Sequence, residues 1–319
     1  MTVRAGATTS RVGPAHVVVL GCGGTIATVP VDGQAVLKRA EELLASVPGL
    51  DDLAAVARAA RDAAAEPGVD GVVVTHGTDV LEEVAYLTDL WHDGETPIVF
   101  TGAQRDAADP AGDGPGNVRD AVRVAADPRA RGLGTLVAFA SVVLPADAVR
   151  KVHTVAPTAF AAPRGRLGSL TSTLLRLDTG RSRPAPLPPG PLHWPVELIA
   201  LTAGGGRVLV DAALDAGAQG LVLDAFGAGT APAEVVDVVA EATARGVLVV
   251  VTSRCEHGGV WPQPGRGAGA DLAAAGAWLA GDLDGIRARM LLLAVLAATG
   301  GRSEEAARLL AARLPAPGH

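Results

Sequence analysis

Two threonines, each preceded by glycine shortly after an apolar run, are the first candidates for chemistry in this sequence. Thr25 lies in the segment GCGGTIA at 21–27, and Thr78 lies in the segment THGTD at 75–79. Glycine lets the backbone come close to a substrate, and a threonine hydroxyl becomes a nucleophile when a nearby base removes its proton. A purely structural glycine turn is the alternative at Thr25.

The residues that follow Thr78 predict the start of a helix. Asp79 and Glu82 have the spacing of a capping box, in which two side chains satisfy free backbone N–H groups. A helix N-terminus of this kind favours a carboxylate or a developing oxyanion. The alternative is that Asp79 is an ordinary helix cap without a part in chemistry.

Lys151, in the segment RKVHT at 150–154, is the third candidate. Most isolated lysines are solvated surface charges. A lysine that is buried beside a hydroxyl and a carboxylate, in contrast, can lose its proton readily enough to serve as a base. The sequence leaves both interpretations open.

A further junction between strand and loop carries Arg105 in the segment TGAQR at 101–105, which is followed by DGPGN at 113–117. Arg105 could bind an acidic group or neutralise neighbouring aspartates. Asp113 and Asn117 are of residue types that form loops and helix caps, and we predict that Asn117 caps the next helix.

Metal and nucleotide sites are not indicated. His76 and His153 belong to no H-x-x-x-H or C-x-x-C pair, and the residues CEH at 255–257 are adjacent rather than convergent. The third glycine of a dinucleotide fingerprint would fall at Ile26, and there is no G-x-S-x-G elbow of an α/β serine hydrolase. We predict no catalytic metal and no cofactor.

Composition argues against several other classes of protein. The chain has 319 residues, of which 49% are apolar and 19% are charged, which is typical of a globular protein long enough for two domains. The net charge of −7, without a run of lysine and arginine, argues against nucleic acid as a partner.

Apolar runs also bear on localisation. None approaches the ~18 residues of a membrane span, and the first 15 residues lack the apolar region of a secretory signal. We therefore predict a cytoplasmic protein without a membrane partner, in which Cys22 and Cys255 are free thiols.

Continuous apolar runs alternate with alanine-rich segments of helical spacing. Strands buried on both faces are predicted at 17–20, 72–74, 98–100, 133–139, 197–201, 221–223 and 247–251. Helices are predicted at 53–65, 81–90, 117–126, 208–216, 233–244, 286–298 and 303–314. This alternation indicates an α/β fold with two α/β domains, a larger N-terminal domain with a mainly parallel sheet and a smaller C-terminal parallel-sheet domain.

The segment RSRPAPLPPGPLHWP at 181–195 interrupts this alternation with proline and glycine. Such a composition is typical of a connection between domains. The predicted domains are therefore 1–180 and 196–319, joined by this linker.

Taken together, these motifs resemble the bacterial L-asparaginase family in their order and approximate spacing. The matching segments are GGTIA at 23–27, VVVTHGTDVLEE at 72–83, TGAQR at 101–105, DGPGN at 113–117 and RKVHT at 150–154. The likeness continues in VELIAL at 196–201, GLVLDAFGAG at 220–229 and GVLVVVTSRC at 246–255. It covers nearly the whole chain, and GGTIA and THGTD are rarely found together outside this family.

The resemblance implies a hydrolase for side-chain carboxamides such as that of L-asparagine, with a small-molecule amide as substrate. Thr25 would attack the carboxamide, release ammonia and form an acyl-enzyme that water then hydrolyses. Lys151 would help to move the hydroxyl proton of Thr78, and Asp79 would orient that group and meet the substrate amine. Further contacts with the substrate are implied for Gly24, Gly77, the backbone N–H of Thr78 and the backbone of Ala103.

The family usually forms tetramers built from close dimers, which implies a homo-oligomer, either a dimer or a tetramer.

Several positions depart from the family pattern. The family carries a tyrosine on the loop after GGTIA, whereas the only tyrosine here is Tyr86. A strand and a serine-containing loop that grip the substrate α-carboxylate are missing between 48–50 and the helix predicted to begin near Asp51. Val152 and Val155 replace residues that are commonly threonine around the lysine.

These departures leave three hypotheses. The first is hydrolysis of free L-asparagine, which the family favours. The second is hydrolysis of a larger or modified amide, such as an asparaginyl or aspartimide group, in a specialised biosynthetic route. The third is a binding protein of weakened catalysis on the same scaffold.

Overall fold

The computed structural model describes residues 15–22, 36–39, 48–106, 108–178 and 181–314. Its strands are β1 (Val17–Gly21), β2 (Val36–Arg39), β3 (Gly71–Thr75), β4 (Ile98–Thr101), β5 (Thr135–Phe139), β6 (Val142–Pro145), β7 (Arg150–Lys151), β8 (Phe160–Ala161), β9 (Gly168–Leu170), β10 (Leu175–Leu177), β11 (Val196–Ala200), β12 (Gly220–Ala225), β13 (Leu248–Ser253) and β14 (Trp278–Leu279). Its helices are α1 (Leu50–Ala65), α2 (Leu81–Trp91), α3 (Gly114–Ala125), α4 (Val208–Asp215), α5 (Ala233–Ala244), α6 (Gly269–Ala274), α7 (Gly285–Thr299) and α8 (Ser303–Ala311), with a short 3₁₀ helix at Pro128–Ala130. Strands β1 to β10 belong to a larger N-terminal lobe, and β11 to β14 belong to a smaller C-terminal lobe.

The eight-stranded sheet of the N-terminal lobe has the order β10-β9-β6-β5-β4-β3-β1-β2. Strands β2, β1, β3, β4 and β5 run parallel, and β6, β9 and β10 run antiparallel to their neighbours. Strands β3, β4 and β5 are buried throughout, because α1 and α2 pack on one face of the sheet and α3 packs on the other. The predicted α/β class and the mainly parallel N-terminal sheet are confirmed.

A tight turn that the sequence does not signal joins β5 to β6. Ala140 and Ser141 form this turn with positive φ angles of 48° and 61°, as in a type I′ turn, where asparagine and glycine are usual. Side chains of α3 hold it, since Asn117 Oδ1 accepts the N–H of Ala140 at 3.0 Å and Ser141 Oγ donates to Asp120 Oδ2 at 2.9 Å. The antiparallel part of the sheet therefore begins at a turn whose stabilising contacts are not local.

The edge strand β2 was likewise not predicted. It pairs in parallel with β1, but its sequence VLKR is short and lacks the continuous apolar pattern of the inner strands. Helix α1 begins at Leu50, next to the predicted Asp51. Residues 48 and 49 lead directly into α1, so no strand lies between them and the helix, and the loss of substrate carboxylate binding stays a prediction.

The sheet of the C-terminal lobe consists of four parallel strands in the order β11-β12-β13-β14, as expected of the second parallel sheet. Helix α7 contacts three of these strands and also packs against α2 of the N-terminal lobe. It is apolar on nearly every side, and its residues 290–297 are all buried. One continuous hydrophobic core therefore extends through α7 from one lobe into the other.

The proline-rich segment 181–195, predicted as a linker, contains no helix or strand but packs against the N-terminal lobe. Leu187 and Leu192 are buried, and the N–H of Leu187 donates to the carbonyl of Leu90 at 2.7 Å. The segment is thus held against the protein surface along its length. The domain bounds that follow from it stay a prediction.

Arg181 anchors the start of this segment through a buried ion-pair network. Its Nη2 lies 2.7 Å from Oδ2 of Asp89 and 3.0 Å from Oδ1 of Asp147. Oδ1 of Asp89 also lies 3.2 Å from Nε of Arg183 and accepts the N–H of Thr135 at 2.8 Å. Burial of the Arg181 guanidinium opposes its charge, but Asp89 and Asp147 outweigh this effect and raise the pKa of Arg181.

We expect Asp89→Ala to lower the free energy of unfolding by about 3–5 kcal/mol, because Arg181 and Arg183, whose side chains are 5% and 15% exposed, lose the carboxylate they share. Chemical denaturation followed by circular dichroism measures this change. Asp93→Ala is the matched control, since the Asp93 side chain is 69% exposed and pairs with Arg61 at 3.2 Å. An exposed pair contributes at most about 1 kcal/mol, so equal losses in the two variants would contradict the importance of the buried network.

Two further expectations concern membranes and thiols. Among the described residues, no helix has both the length and the apolar character needed to cross a bilayer. Cys22 and Cys255 are both free, the first buried and the second exposed. Burial raises the pKa of the Cys22 thiol to about 12, which keeps it protonated at neutral pH.

Candidate active site

The carboxyl ends of three parallel strands meet at one edge of the N-terminal sheet. Gly21, which ends β1, lies opposite Thr75, which ends β3, and Thr75 lies opposite Thr101 of β4. The N–H of Cys22 donates to the carbonyl of Thr75 at 3.0 Å. The N–H of His76 donates in the same way to the carbonyl of Thr101 at 2.9 Å. Open α/β sheets bind their ligands at this edge, and the segments that follow β1, β3 and β4 leave the sheet here.

Three of the predicted catalytic residues are in direct contact at this edge. Nζ of Lys151 donates to Oγ1 of Thr78 at 2.9 Å and lies 2.6 Å from Oδ1 of Asp79. The Lys151 side chain is only 15% exposed, whereas that of Asp79 is 93% exposed. The arrangement joins an amine, a hydroxyl and a carboxylate, which is a set of groups that can transfer protons.

The short strand β7 brings Lys151 to this position. It pairs antiparallel with β8, with Lys151 opposite Phe160. The ring of Phe160 packs against that of Phe139 at the end of β5, with 4.9 Å between the ring centroids. A hydrophobic contact with the main sheet therefore fixes the two-stranded unit that carries the lysine.

The capping box predicted for Asp79 and Glu82 is wrong. Helix α2 begins at Leu81, and its N-cap residue, Val80, makes no side-chain capping bond. Both acidic side chains bind Lys151 instead: Asp79 contacts Nζ, and Oε2 of Glu82 accepts the backbone N–H of Lys151 at 2.6 Å. A charged amine is a stronger hydrogen-bond donor to Asp79 than a backbone N–H group is. The spacing of Asp79 and Glu82 in the sequence gives no sign of their contacts with Lys151.

Asp113 shapes the loop that follows β4. Its carboxylate accepts the N–H groups of Gln104 and Arg105, at 3.1 Å and 3.0 Å. The Arg105 guanidinium donates to the carbonyl of Ala111 at 2.8 Å, so its contact is with the same loop. Asp113 acts as a loop former, as its residue type suggests.

Asn117 is not a helix cap, contrary to our prediction, because α3 begins three residues earlier, at Gly114. Its buried amide donates to the carbonyl of Gly102 at 2.9 Å, and its oxygen accepts the N–H of Ala140 at 3.0 Å. The helix starts earlier because Pro115 is compatible with the first helical turn. Asn117 is therefore available to tie together the loops that follow β4 and β5.

Gly102 allows the loop after β4 to pass close to the loop that carries Thr78. A Cβ atom at this position would lie 2.7 Å from the carbonyl oxygen of His76 and 3.2 Å from Cγ2 of Thr78. A larger residue would push the two loops apart. The glycine of TGAQR thus permits the close approach of the segment that contains Ala103.

Known protein families match both parts of this chain. Residues 50–182 match the family Asparaginase, N-terminal, and residues 195–310 match the Glutaminase/Asparaginase C-terminal domain. A probable L-asparaginase of Deinococcus radiodurans is 39% identical over 234 residues, which cover 72% of this chain and 71% of that protein. An L-asparaginase of Bacillus licheniformis is 35% identical over 240 residues, which cover 72% of each. The chain belongs to the asparaginase family.

The fold of this asparaginase-family protein agrees with that assignment. The crystal structure of a probable cytoplasmic L-asparaginase from Campylobacter jejuni superimposes on it with a TM-score of 0.79 and 27% identity, over 92% of this chain and 98% of that chain. The protein is a hydrolase that acts on amides. The third hypothesis, a binding protein of weakened catalysis, is therefore set aside.

The remaining predicted site residues of the asparaginase-family hydrolase are placed as follows. Gly77 lies between His76 and Thr78, and among the described residues no group other than these neighbours lies within 4 Å of where its Cβ would be. Ala103 is half-buried in the loop after β4. Gly24 and Thr25 lie outside the described residues.

The two histidines near the site have structural partners in this hydrolase. Burial lowers the pKa of His76, and its Nδ1 lies 2.8 Å from the carbonyl oxygen of Gly77. Nδ1 of His153 accepts the N–H groups of Val155 and Ala156, at 3.1 Å and 2.9 Å. Within the described part of the chain, no group of three or more histidine, cysteine, aspartate or glutamate side chains is arranged to hold a metal ion.

The contact between Glu82 and Lys151 was not predicted for this asparaginase-family site. The Glu82 carboxyl is buried, with only 8% of the residue exposed. Burial raises its pKa to about 7, although the hydrogen bond from Lys151 acts in the opposite direction. The only sequence signal is the acidic pair at 82–83 in the first turn of α2, and favourable interaction with the helix N-terminus accounts for that equally well.

Proposed function

We propose that this hydrolase converts L-asparagine to L-aspartate and ammonia, with Thr25 as the nucleophile. The observation that carries the proposal is the contact between the Lys151 amine and the Thr78 hydroxyl, at 2.9 Å, beside the Asp79 carboxylate. A lysine that is shielded from solvent and contacts a hydroxyl is arranged to transfer a proton, whereas a lysine that only carries a surface charge points into solvent. Membership of the family favours L-asparagine as the substrate.

The proposed reaction has two steps. The Thr25 hydroxyl oxygen attacks the side-chain carbonyl carbon, the C–N bond breaks, and ammonia leaves an acyl-enzyme behind. The proton lost by the attacking hydroxyl passes through Thr78 and Lys151 to the departing nitrogen. A water molecule then attacks the ester, releasing L-aspartate and restoring the hydroxyl of Thr25.

The strand register supports Thr25 as the partner of this cluster. Strand β1 ends at Gly21, directly opposite Thr75 of β3. Thr25 follows Gly21 by four positions, and Thr78 follows Thr75 by three. Two hydroxyls that leave adjacent strand ends after such short segments are suited to act on the same substrate.

Substrate contacts are assigned to the same edge of the sheet. The Asp79 carboxylate, which is almost fully exposed, would meet the amine of L-asparagine. The backbone N–H of Thr78 would donate to the oxyanion. The other proposed contacts are Gly24, Gly77 and Ala103.

The wider organisation of the protein is part of the proposal. We assign an N-terminal domain at 1–180, a linker at 181–195 and a C-terminal domain at 196–319. A cytoplasmic homo-oligomer, either a dimer or a tetramer, is proposed from the usual assembly of the family. One structural relative is named a cytoplasmic L-asparaginase, which supports this location.

A second candidate function is hydrolysis of a larger amide, which an apolar surface beside the lysine favours. Val152 and Val155 follow Lys151 closely and are 43% and 70% exposed. Exposed apolar side chains next to a polar site can bind a substituent that free asparagine does not have.

Ammonia release from different amides distinguishes the two candidates. The full chain is incubated with millimolar L-asparagine, L-glutamine or a peptide with an internal asparagine, and ammonia is measured by an enzyme-coupled assay. We expect the fastest release from L-asparagine. Release from the peptide alone would favour the second function, and it should then decrease when Val152 and Val155 are both replaced by threonine. No ammonia from any of these amides would contradict both proposals.

A further inference from the structure

Lys151 is held at both ends by one short segment at the start of α2. Its backbone N–H donates to Oε2 of Glu82 at 2.6 Å, and its Nζ donates to Oγ1 of Thr78 at 2.9 Å. A lysine side chain is a flexible four-carbon stem, so Nζ of an unrestrained lysine occupies many positions. Fixing the backbone against the segment that also carries the hydroxyl restricts Nζ to positions close to Thr78.

The residue before Lys151 binds the opposite lobe. Nε of Arg150 lies 3.3 Å from Oδ2 of Asp284, which is the N-cap residue of α7. Asp284 also accepts the backbone N–H of Arg287 at 3.0 Å and its Nη2 at 2.6 Å. The two-residue strand β7 is therefore attached to α2 through Lys151 and to α7 through Arg150.

Arg287 and Glu82 lie buried at the junction between these elements. Arg287 is 3% exposed, and its Nε and Nη1 have no hydrogen-bond partner among the described residues. Its charge acts on the Glu82 carboxyl, as do the charges of Arg150 and Asp284. The carboxyl that binds the backbone of Lys151 thus lies within a charged cluster that spans both lobes.

We propose that Glu82 is a positioning residue for Lys151, and that the cluster of Arg150, Asp284 and Arg287 couples this position to the C-terminal lobe. Without Glu82, the described contacts that β7 keeps are its pairing with β8, the side-chain contact of Arg150 with Asp284, and the contacts of Lys151 Nζ. The catalytic role of Lys151 rests on the proposed function. The positioning itself rests only on the contacts of described residues.

Ionisation of Glu82 should influence this position near neutral pH. Burial and Asp284 raise its pKa, to about 7, against the opposing effects of the Lys151 N–H, Arg287 and Arg150. A carboxylate accepts a stronger hydrogen bond than a protonated carboxyl, so Lys151 is held more firmly as the pH rises through about 7. The folded state favours the protonated carboxyl of Glu82, because its pKa there is raised from 4.5 to about 7. The contribution of Glu82 to the free energy of unfolding is therefore fully present below pH 4.5 and is lost as the pH rises to about 7.

Amide-hydrogen exchange tests the positioning without any substrate. The chain has only two lysines, Lys38 and Lys151, so isotope-labelled lysine gives two backbone amide signals in an NMR spectrum, and Lys38→Arg assigns them. We expect exchange at Lys151 to be roughly tenfold faster in Glu82→Ala, with Lys38 unchanged, because a local bond is lost. Glu82→Gln retains an acceptor oxygen and should keep most of the protection.

Unchanged exchange at Lys151 in Glu82→Ala would overturn the proposal, whether or not the protein hydrolyses any amide. Faster exchange at both lysines would indicate general unfolding of that variant. The test then passes to Glu82→Gln, in which the protection of Lys151 should no longer depend on pH near 7. Protection in Glu82→Gln that still follows the wild-type pH dependence would contradict the role of Glu82.

Kinetics extend the test to the proposed function. We expect Glu82→Ala to lower kcat for ammonia release by roughly 10- to 100-fold, with KM within about twofold, because Nζ is displaced from the hydroxyl. In the wild-type protein kcat should fall below pH about 7, and Glu82→Gln should lose this inflection.

Glu83→Gln is the matched control, since Glu83 adjoins Glu82 in the same helical turn and its described electrostatic partner is Arg289. It should keep both kcat and the inflection. An equal change in both variants would contradict positioning by Glu82, whereas absence of ammonia from the wild-type protein would contradict the proposed function alone.

Discussion

Replacement of Thr25 by alanine is expected to lower kcat for amide hydrolysis by ~10⁴-fold or more, while KM changes by no more than a few fold. A nucleophile forms the bond that defines the reaction, and its removal leaves only substrate binding and oxyanion stabilisation. Ammonia release under saturating L-asparagine measures the change. Circular dichroism and thermal unfolding establish that the variant is folded.

Thr28→Ala is the matched control for this experiment, because Thr28 is a second threonine only three positions further along the chain. It should keep activity within a few fold. Acid quenching during turnover, followed by mass spectrometry, should detect an acyl group on the peptide that contains Thr25 and none in the alanine variant. Substantial hydrolysis by Thr25→Ala, or an acyl group on another peptide, would show that the nucleophile is a different residue.

Lys151→Ala is expected to lower kcat by roughly 10²–10⁴-fold, which is the usual effect of removing a group that transfers protons. The Thr78 hydroxyl loses its donor at 2.9 Å, and Asp79 loses its buried cationic partner at 2.6 Å. Steady-state kinetics with L-asparagine measure the loss. Lys38→Ala removes the other lysine of the chain and is expected to leave kcat almost unchanged.

Lys151→Arg separates proton transfer from the effect of positive charge. Arginine keeps the charge next to Asp79 but cannot give up its proton in a protein. We therefore expect this variant to be about as slow as Lys151→Ala. Recovery of most of the activity with arginine would mean that the lysine acts through its charge, and that another group moves the proton.

The sequence by itself placed two of the candidate motifs directly after strands of the N-terminal sheet. Apolar runs at 72–74 and 98–100 mark β3 and β4, because strands buried on both faces must be apolar along their whole length. The motifs THGTD and TGAQR follow these runs directly. Parallel strands end at the same edge, so the two motifs could be assigned to one site before their contacts were known.

Local spacing was a poor guide to the partners of the polar side chains. Asp79, Glu82 and Asn117 all stand where helix caps are common, and each binds a group from a distant element instead. The turn at 140–141 shows the same limitation, since its conformation depends on side chains of α3. Short-range preferences are worth about 1 kcal/mol, and a buried or charged partner outweighs them.

Only the tertiary structure decided that the Lys151 side chain contacts Thr78 and Asp79 rather than being a solvated charge. It is separated from Thr78 by 73 positions and lies on a strand of two residues, which is too short to show any periodicity. Its burial and the buried position of Glu82 arise where β7, α2 and α7 pack together. Hydrophobic patterns are properties of neighbouring residues, whereas the environment of a polar group depends on the elements that folding brings around it. For that reason the sequence identified the candidates, and the packing of the two lobes selected their partners.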